Sequence, residues 1–123
     1  MQLSQLFRRG IVVPLTDRTE EQFSRWFVDD FATVAFLPIA DESLFEDIFK
    51  AGVFHLLNEV CSTTIDDYEE EALPATTLER GITALAARQK ELTEQRNVGL
   101  FVESLIMILR LALENHRPVY FVF

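Results

Sequence analysis

The stretch Val98–Phe123, VGLFVESLIMILRLALENHRPVYFVF, decides how the rest of the chain must fold. At about 100° per residue, Glu103, Arg110 and Glu114 share one narrow stripe of a helix. Phe101, Val102, Leu105, Ile106, Ile108, Leu109, Leu111, Ala112 and Leu113 cover nearly all the remaining surface. A helix so apolar all round is expected to be wrapped by other elements. His116 and Arg117 stand at its end, where the helix dipole favours cations, and Pro118 stops it. Val119-Tyr120-Phe121-Val122-Phe123 lacks the polar alternation of a half-exposed strand. It therefore reads as a strand covered on both faces and central in its sheet.

Working back, Thr76-x-x-Glu79 has capping-box spacing ahead of a helix that carries Leu78, Ile82, Leu85 and Leu92 inward. Gln95-Arg96-Asn97 is the expected turn into the last helix, with Asn97 able to cap it. Leu44, Phe45, Ile48, Phe49, Gly52, Val53, Leu56, Leu57 and Val60 recur at three- and four-residue steps, which predicts one amphipathic helix capped by Asp41 or Ser43. Gly52 inside it costs about 1 kcal/mol relative to Ala, so a close approach by another element is the expected reason for it. Asp17 or Thr19 begins an earlier helix, with Phe23, Trp26 and Phe27 on one face. Phe31–Leu37 either extends that helix or forms a strand from about Thr33, and we favour the strand. Leu3, Leu6 and Phe7 suit a short helix ended by Gly10, and Ile11-Val12-Val13 suits a strand. The expected fold is α+β: about four helices packed on a small sheet of two to four short strands, with residues 1–123 forming one domain. A right-handed crossover between Ile11–Val13 and Thr33–Leu37 is one way to order the strands.

Eleven Phe is a heavy load for 123 residues. Seven of them (Phe23, Phe27, Phe31, Phe36, Phe45, Phe49 and Phe54) cluster around Trp26, and are expected to supply an aromatic core. The lone Cys61 excludes an internal disulfide and fits a reducing compartment such as the cytoplasm. It follows an apolar run in acidic surroundings, so it reads as a small buried hydrophobe. Arg8 and Arg9 follow the first apolar residues instead of preceding them, unlike a signal peptide. The last helix is too short and too often charged for a membrane span.

The net charge of −9 is unevenly spread. Between Asp17 and Glu71, 15 acids meet only Arg18, Arg25 and Lys50, a net of −12. Residues 72–123 carry 5 acids and 6 bases, and Arg8 and Arg9 make the first 16 residues net positive. Such a field repels nucleic acid and anionic membranes and steers in basic partners. Enzyme chemistry finds little support. His55 and His116 read as structural residues, and His55 with Glu59 makes only one edge of a metal site. The four glycines are scattered, so no phosphate loop forms, and no cofactor is expected.

One polar constellation stands out: five acids around Tyr68 within Asp66–Glu71. Like charges so bunched repel by about 1 kcal/mol per 4 Å pair in water. The plain reading is a solvated segment that aids solubility. The sharper reading makes Asp66, Asp67, Tyr68, Glu69, Glu70 and Glu71 a patch for a basic protein surface, with Tyr68 as its anchor. The segment Asp66–Pro74 leading into a helix resembles a pattern in small acidic bacterial immunity proteins of polymorphic and contact-dependent toxin systems. The ending Arg117–Phe123 is similar to the close of several such families. The resemblance implies a cytoplasmic protein that binds a cognate toxin, often a basic nuclease, and blocks it. The alternatives are a structural homo-oligomer that buries its aromatic surplus, and a carboxylate or metal enzyme using Asp29, Asp30 or Glu59.

Overall fold

The computed structural model describes residues 1–92 and 94–123. In chain order these form α1 (Leu3–Phe7), β1 (Gly10–Pro14), α2 (Asp17–Ser24), β2 (Val34–Pro38), α3 (Glu42–Lys50), α4 (Val53–Cys61), β3 (Glu70–Leu73), a 3-10 turn (Ala75–Thr77), α5 (Leu78–Ala87), α6 (Gln89–Leu92), α7 (Arg96–Glu114) and β4 (Val119–Val122). The fold is α+β. The four strands make one antiparallel sheet in the order β2-β1-β4-β3, with β4 inside it.

Alternation along the strands divides the interior in two. Ile11, Val13, Leu73, Val119, Phe121 and Phe123 face the larger layer of α3, α4, α5 and α7. Val12, Tyr120 and Val122 face the smaller layer of α1 and α2, where they meet Leu3 and Phe23. Every residue of β4 is buried, as its unbroken apolar sequence requires. Phe54 is the hub of the larger core. Its ring meets those of Phe45, Phe49, Phe101, Phe121 and Phe123 at centroid distances of 5.0–6.3 Å, mostly edge to face.

The expected crossover between the first two strands is not formed. β1 and β2 are antiparallel, with Gly10 opposite Pro38 and Pro14 opposite Val34. The Leu15 N–H donates to the Thr33 carbonyl at 2.9 Å, so both strands meet at one end of the sheet and α2 is an excursion within a wide hairpin. The helix expected across Gly52 is also broken. Gly52 has φ 84°, and α3 and α4 turn about it. A Cβ there would meet nothing within 4 Å, so Gly52 serves backbone conformation and not close packing. The close approach lies instead at Gly81 in α5, where a Cβ would come within 3.2 Å of Leu57 and 3.3 Å of Cys61. Cys61 is buried as expected, and burial pushes its thiol pKa up.

Three caps differ from the sequence reading, the first being Thr76, which lies in the 3-10 turn while α5 begins after Thr77 without a side-chain cap. Thr16, one residue before the expected position, accepts from the Thr19 N–H at the start of α2. α7 begins at Arg96, so Asn97 lies inside it. Asp41 does cap α3, accepting from the Leu44 N–H at 2.8 Å. At the far end of α7, the Arg117 N–H bonds back to the Ala112 carbonyl and the His116 N–H to the Leu113 carbonyl. His116 sits at φ 55°, in the left-handed place where glycine commonly ends a helix.

The aromatic cluster and the wrapping of α7 are both incomplete. Phe31 is 78% exposed, and Phe27 and Phe36 also reach solvent. On α7, Leu100 is 55% exposed and Met107 70%. Gly52→Ala should cost about 1–2 kcal/mol in chemical denaturation, from backbone conformation alone, since the space around it is open. A neutral Gly52→Ala would show that the left-handed turn carries no weight.

Candidate functional site

The acidic run is not one loop. Asp66–Glu69 form a turn, and Glu70 and Glu71 open β3, one of the two edges of the sheet. β3 is held by β4, with Glu70 opposite Val122 and Leu73 opposite Val119. The Phe123 N–H donates to the Glu69 carbonyl at 3.2 Å, extending that pairing by one residue. The other side of β3 is unpaired edge.

Three of the five acids serve the fold, the first being Asp66, whose Oδ1 accepts from the Asp67 N–H at 2.8 Å. Asp67 Oδ1 lies 2.6 Å from Arg9 Nη2, whose side chain is only 8% exposed. The two atoms meet out of line for a hydrogen bond, so Arg9 Nη1 and Nη2 and Asp67 Oδ1 are buried without an aligned partner. Arg9 also lies 3.4 Å from Glu42 and stacks over the Phe45 ring at 3.9 Å. Glu71 Oε2 accepts from the Thr64 N–H at 2.9 Å and from the Thr64 hydroxyl at 2.8 Å. Partial burial alone would raise the Glu71 pKa. The bonds from Thr64 and from the Ala72 N–H outweigh it and leave the carboxyl below its ordinary value.

The remaining members face outward. Tyr68 is 75% exposed, at φ 60°, a backbone conformation that a bulky residue adopts only when its surroundings enforce it. The Arg8 and Arg9 guanidiniums lie 4.9 and 5.3 Å from its ring centroid. Arg8 Nε in turn donates to the Phe123 carbonyl at 2.8 Å. Asp66 and Glu69 are exposed. Glu70 lies on the other face of β3, in a cleft of about 550 Å³ with Gln2, Arg25, Trp26 and Phe27. Burial raises the Glu70 pKa, because water is partly excluded from its carboxylate.

The sequence singled out this segment, but it did not show that Arg8 and Arg9 contact it or that Trp26 and Phe27 border it. About 60 residues separate the arginines from Tyr68, and no periodicity spans such a gap. Two positive charges at the start of a chain of net −9 were the one available hint.

Other candidates are dispersed. His55 and Glu59 are exposed on α4, and His116 is exposed at the end of α7. Asp29 accepts from Gln22 Nε2 at 2.9 Å and pairs with Arg18, and these partners, Gln22 first, hold its pKa low. Among the described residues no three of His, Cys, Asp and Glu converge as metal ligands. No helix among them is long and apolar enough to cross a membrane. No protein-family model, curated protein or solved structure matches the chain.

Removing the anchor should be measurable. Arg9→Ala strands the Asp67 carboxylate and frees the turn, at an expected cost of about 1–3 kcal/mol, with faster amide exchange at Asp67–Glu70. Wild-type exchange rates there in the variant would remove Arg9 from this role. Glu71 gives a pH signature. Its folded pKa lies below the ordinary 4.5, so its stabilisation is complete above that value and is lost as pH falls through the folded pKa. Denaturation of Glu71→Ala against wild type should therefore show the largest difference near neutral pH, shrinking in acid.

Proposed function

We propose that this protein is a protein-binding module that recognises a basic protein surface through the β3 edge. In the reading that the resemblance to acidic immunity proteins favours, it is a cytoplasmic bacterial protein that neutralises a cognate toxin of basic surface, such as a nuclease. One observation carries the proposal: Asp66, Tyr68 and Glu69 are exposed in the turn that leads into the unpaired edge strand β3 and Glu70 is exposed at its first residue, the segment being held by the buried Arg9 pair and the Glu71–Thr64 bonds. Folding uses Asp67, Glu71 and the Asp66 carboxylate, which accepts from the Asp67 N–H at 2.8 Å, and leaves the Glu69 and Glu70 carboxylates without an ion pair among the described residues.

The chemistry of such a surface follows from its parts. The exposed carboxylates steer a basic partner and speed its encounter. Tyr68, immobilised by its backbone and by two guanidiniums, offers a rigid aromatic face at low entropic cost. Glu70 beside Trp26 and Phe27 supplies a partly desolvated carboxylate next to aromatic rings, a setting that suits an incoming Lys or Arg side chain. In this reading the protein binds and occludes; it performs no catalysis and needs no cofactor.

The partner is to be sought by pull-down from the source organism at low and high salt, and among the products of neighbouring genes. The double reversal Glu69→Lys, Glu70→Lys spares Asp67, Glu71 and the Asp66 carboxylate that holds the turn. It should slow association roughly tenfold or more at low salt while leaving thermal stability near wild type. Unchanged association would exclude this edge as the recognition surface.

A further inference from the structure

α7 carries a stripe that the rest of the chain leaves bare. Leu100, Ser104, Met107 and Leu111 recur at steps of four and three residues, the spacing of a helix–helix seam. They point away from the core. Leu100 and Met107 are the two most exposed aliphatic side chains. Beside the stripe, two grooves share Leu37 and Ser104: one runs between α7 and β2, and the other is bounded by α7, the end of β2 and the start of α3, with Asp41 and Asp47. Residues 31–40, which contain β2, carry no charge at all, in a chain of net −9.

The charges flanking the stripe indicate the occupant. Glu103 and Arg110 lie on the same flank of α7, and Arg96 and Glu114 lie near its two ends. All four are exposed, and none has an ion-pair partner among the described residues. An antiparallel copy of the helix, related by a two-fold axis passing near Leu105 and Ile106, sets Leu100 against Leu111 and the large Met107 against the small Ser104. The same rotation brings Glu103 to Arg110 and Arg96 to Glu114, each twice. A two-fold interface must be self-complementary in this way, and a random solvated face has no reason to be.

We propose that α7 pairs antiparallel with α7 of a second copy, making a two-fold dimer through the Leu100–Leu111 stripe. This does not rest on the toxin-binding reading. β2 and β3 are opposite edges of the sheet, so the dimer would leave each copy's acidic edge free. One helix pair is a small interface, so the affinity should fall in the micromolar range.

Sedimentation equilibrium of the full chain from about 1 to 200 µM tests it, with a reversible dimer expected across that range. Met107→Glu should weaken the dimer about 100-fold or more while keeping the fold, since Met107 is exposed in the monomer. Glu103→Arg and Arg110→Glu should each weaken it about tenfold by setting like charges together, and the double swap Glu103→Arg/Arg110→Glu should restore it. Circular dichroism confirms that each variant is folded. A wild-type chain monomeric throughout overturns the proposal and leaves the groove to another protein. So does a dimer indifferent to Met107→Glu, or a double swap no better than the single ones.

Discussion

The structure depends on the burial of β4 from both sides. Val119, Phe121 and Phe123 close one core and Tyr120 and Val122 close the other, so five consecutive residues hold two helical layers together. Full burial of each such side chain contributes roughly 1.5–3 kcal/mol, and here all five act over a span of about 15 Å. β4 also supplies the hydrogen-bond partners for β1 on one side and β3 on the other. The acidic turn is positioned because β3 is, and β3 is positioned because β4 is fixed.

Electrostatics then sorts the carboxylates into two groups. Arg117 reaches across from the end of α7 to Asp17 at 2.7 Å and Glu20 at 3.2 Å, stitching the last helix to the first turn of α2. Arg25 pairs with Glu21, Arg18 with Asp29, and Arg9 with Asp67. The exposed Arg18 and Arg25 pairs contribute little each, yet they remove charge from the face around α2, whereas the Arg9–Asp67 pair is largely buried, with Arg9 stacked on Phe45 of α3. What stays unneutralised includes Asp66, Glu69 and Glu70 at the start of β3, together with the exposed Asp30, Asp41, Glu46 and Glu59 elsewhere. The −12 counted along residues 17–71 therefore overstates the field around α2, while the imbalance persists at the sheet edge.

The readable part of this fold was its one-dimensional part. The terminal helix and strand, the centrality of β4 and the Asp41 cap follow from periodicity and local chemistry. The direction of β2 does not, because it depends on where the chain returns after α2, and Phe31–Leu37 carries no periodic signal strong enough to say. Gly52 was read as a packing device because a sequence cannot separate a glycine chosen for space from one chosen for φ. The completeness of the α7 wrapping failed for a related reason. A hydrophobic wheel shows how much surface wants cover, and not how much the remaining residues can provide. For the candidate site, bunched charge was what drew attention to Asp66–Glu71. Its division into anchoring and outward-facing acids was not legible, since that depends on Arg8, Arg9 and Thr64 arriving from other parts of the chain.

The two margins of the sheet are chemically unlike, and this limits how copies of the molecule can stack. Joining β3 to β3 would force two carboxylate-rich ribbons into register, and joining β3 to β2 would drive a desolvated carboxylate against an uncharged apolar rim. Open-ended ribbon growth needs both margins to accept a neighbour. Here one margin carries charge that disfavours a neighbour, which works against ribbon growth even though the chain carries eleven phenylalanines and an unpaired strand along its other side.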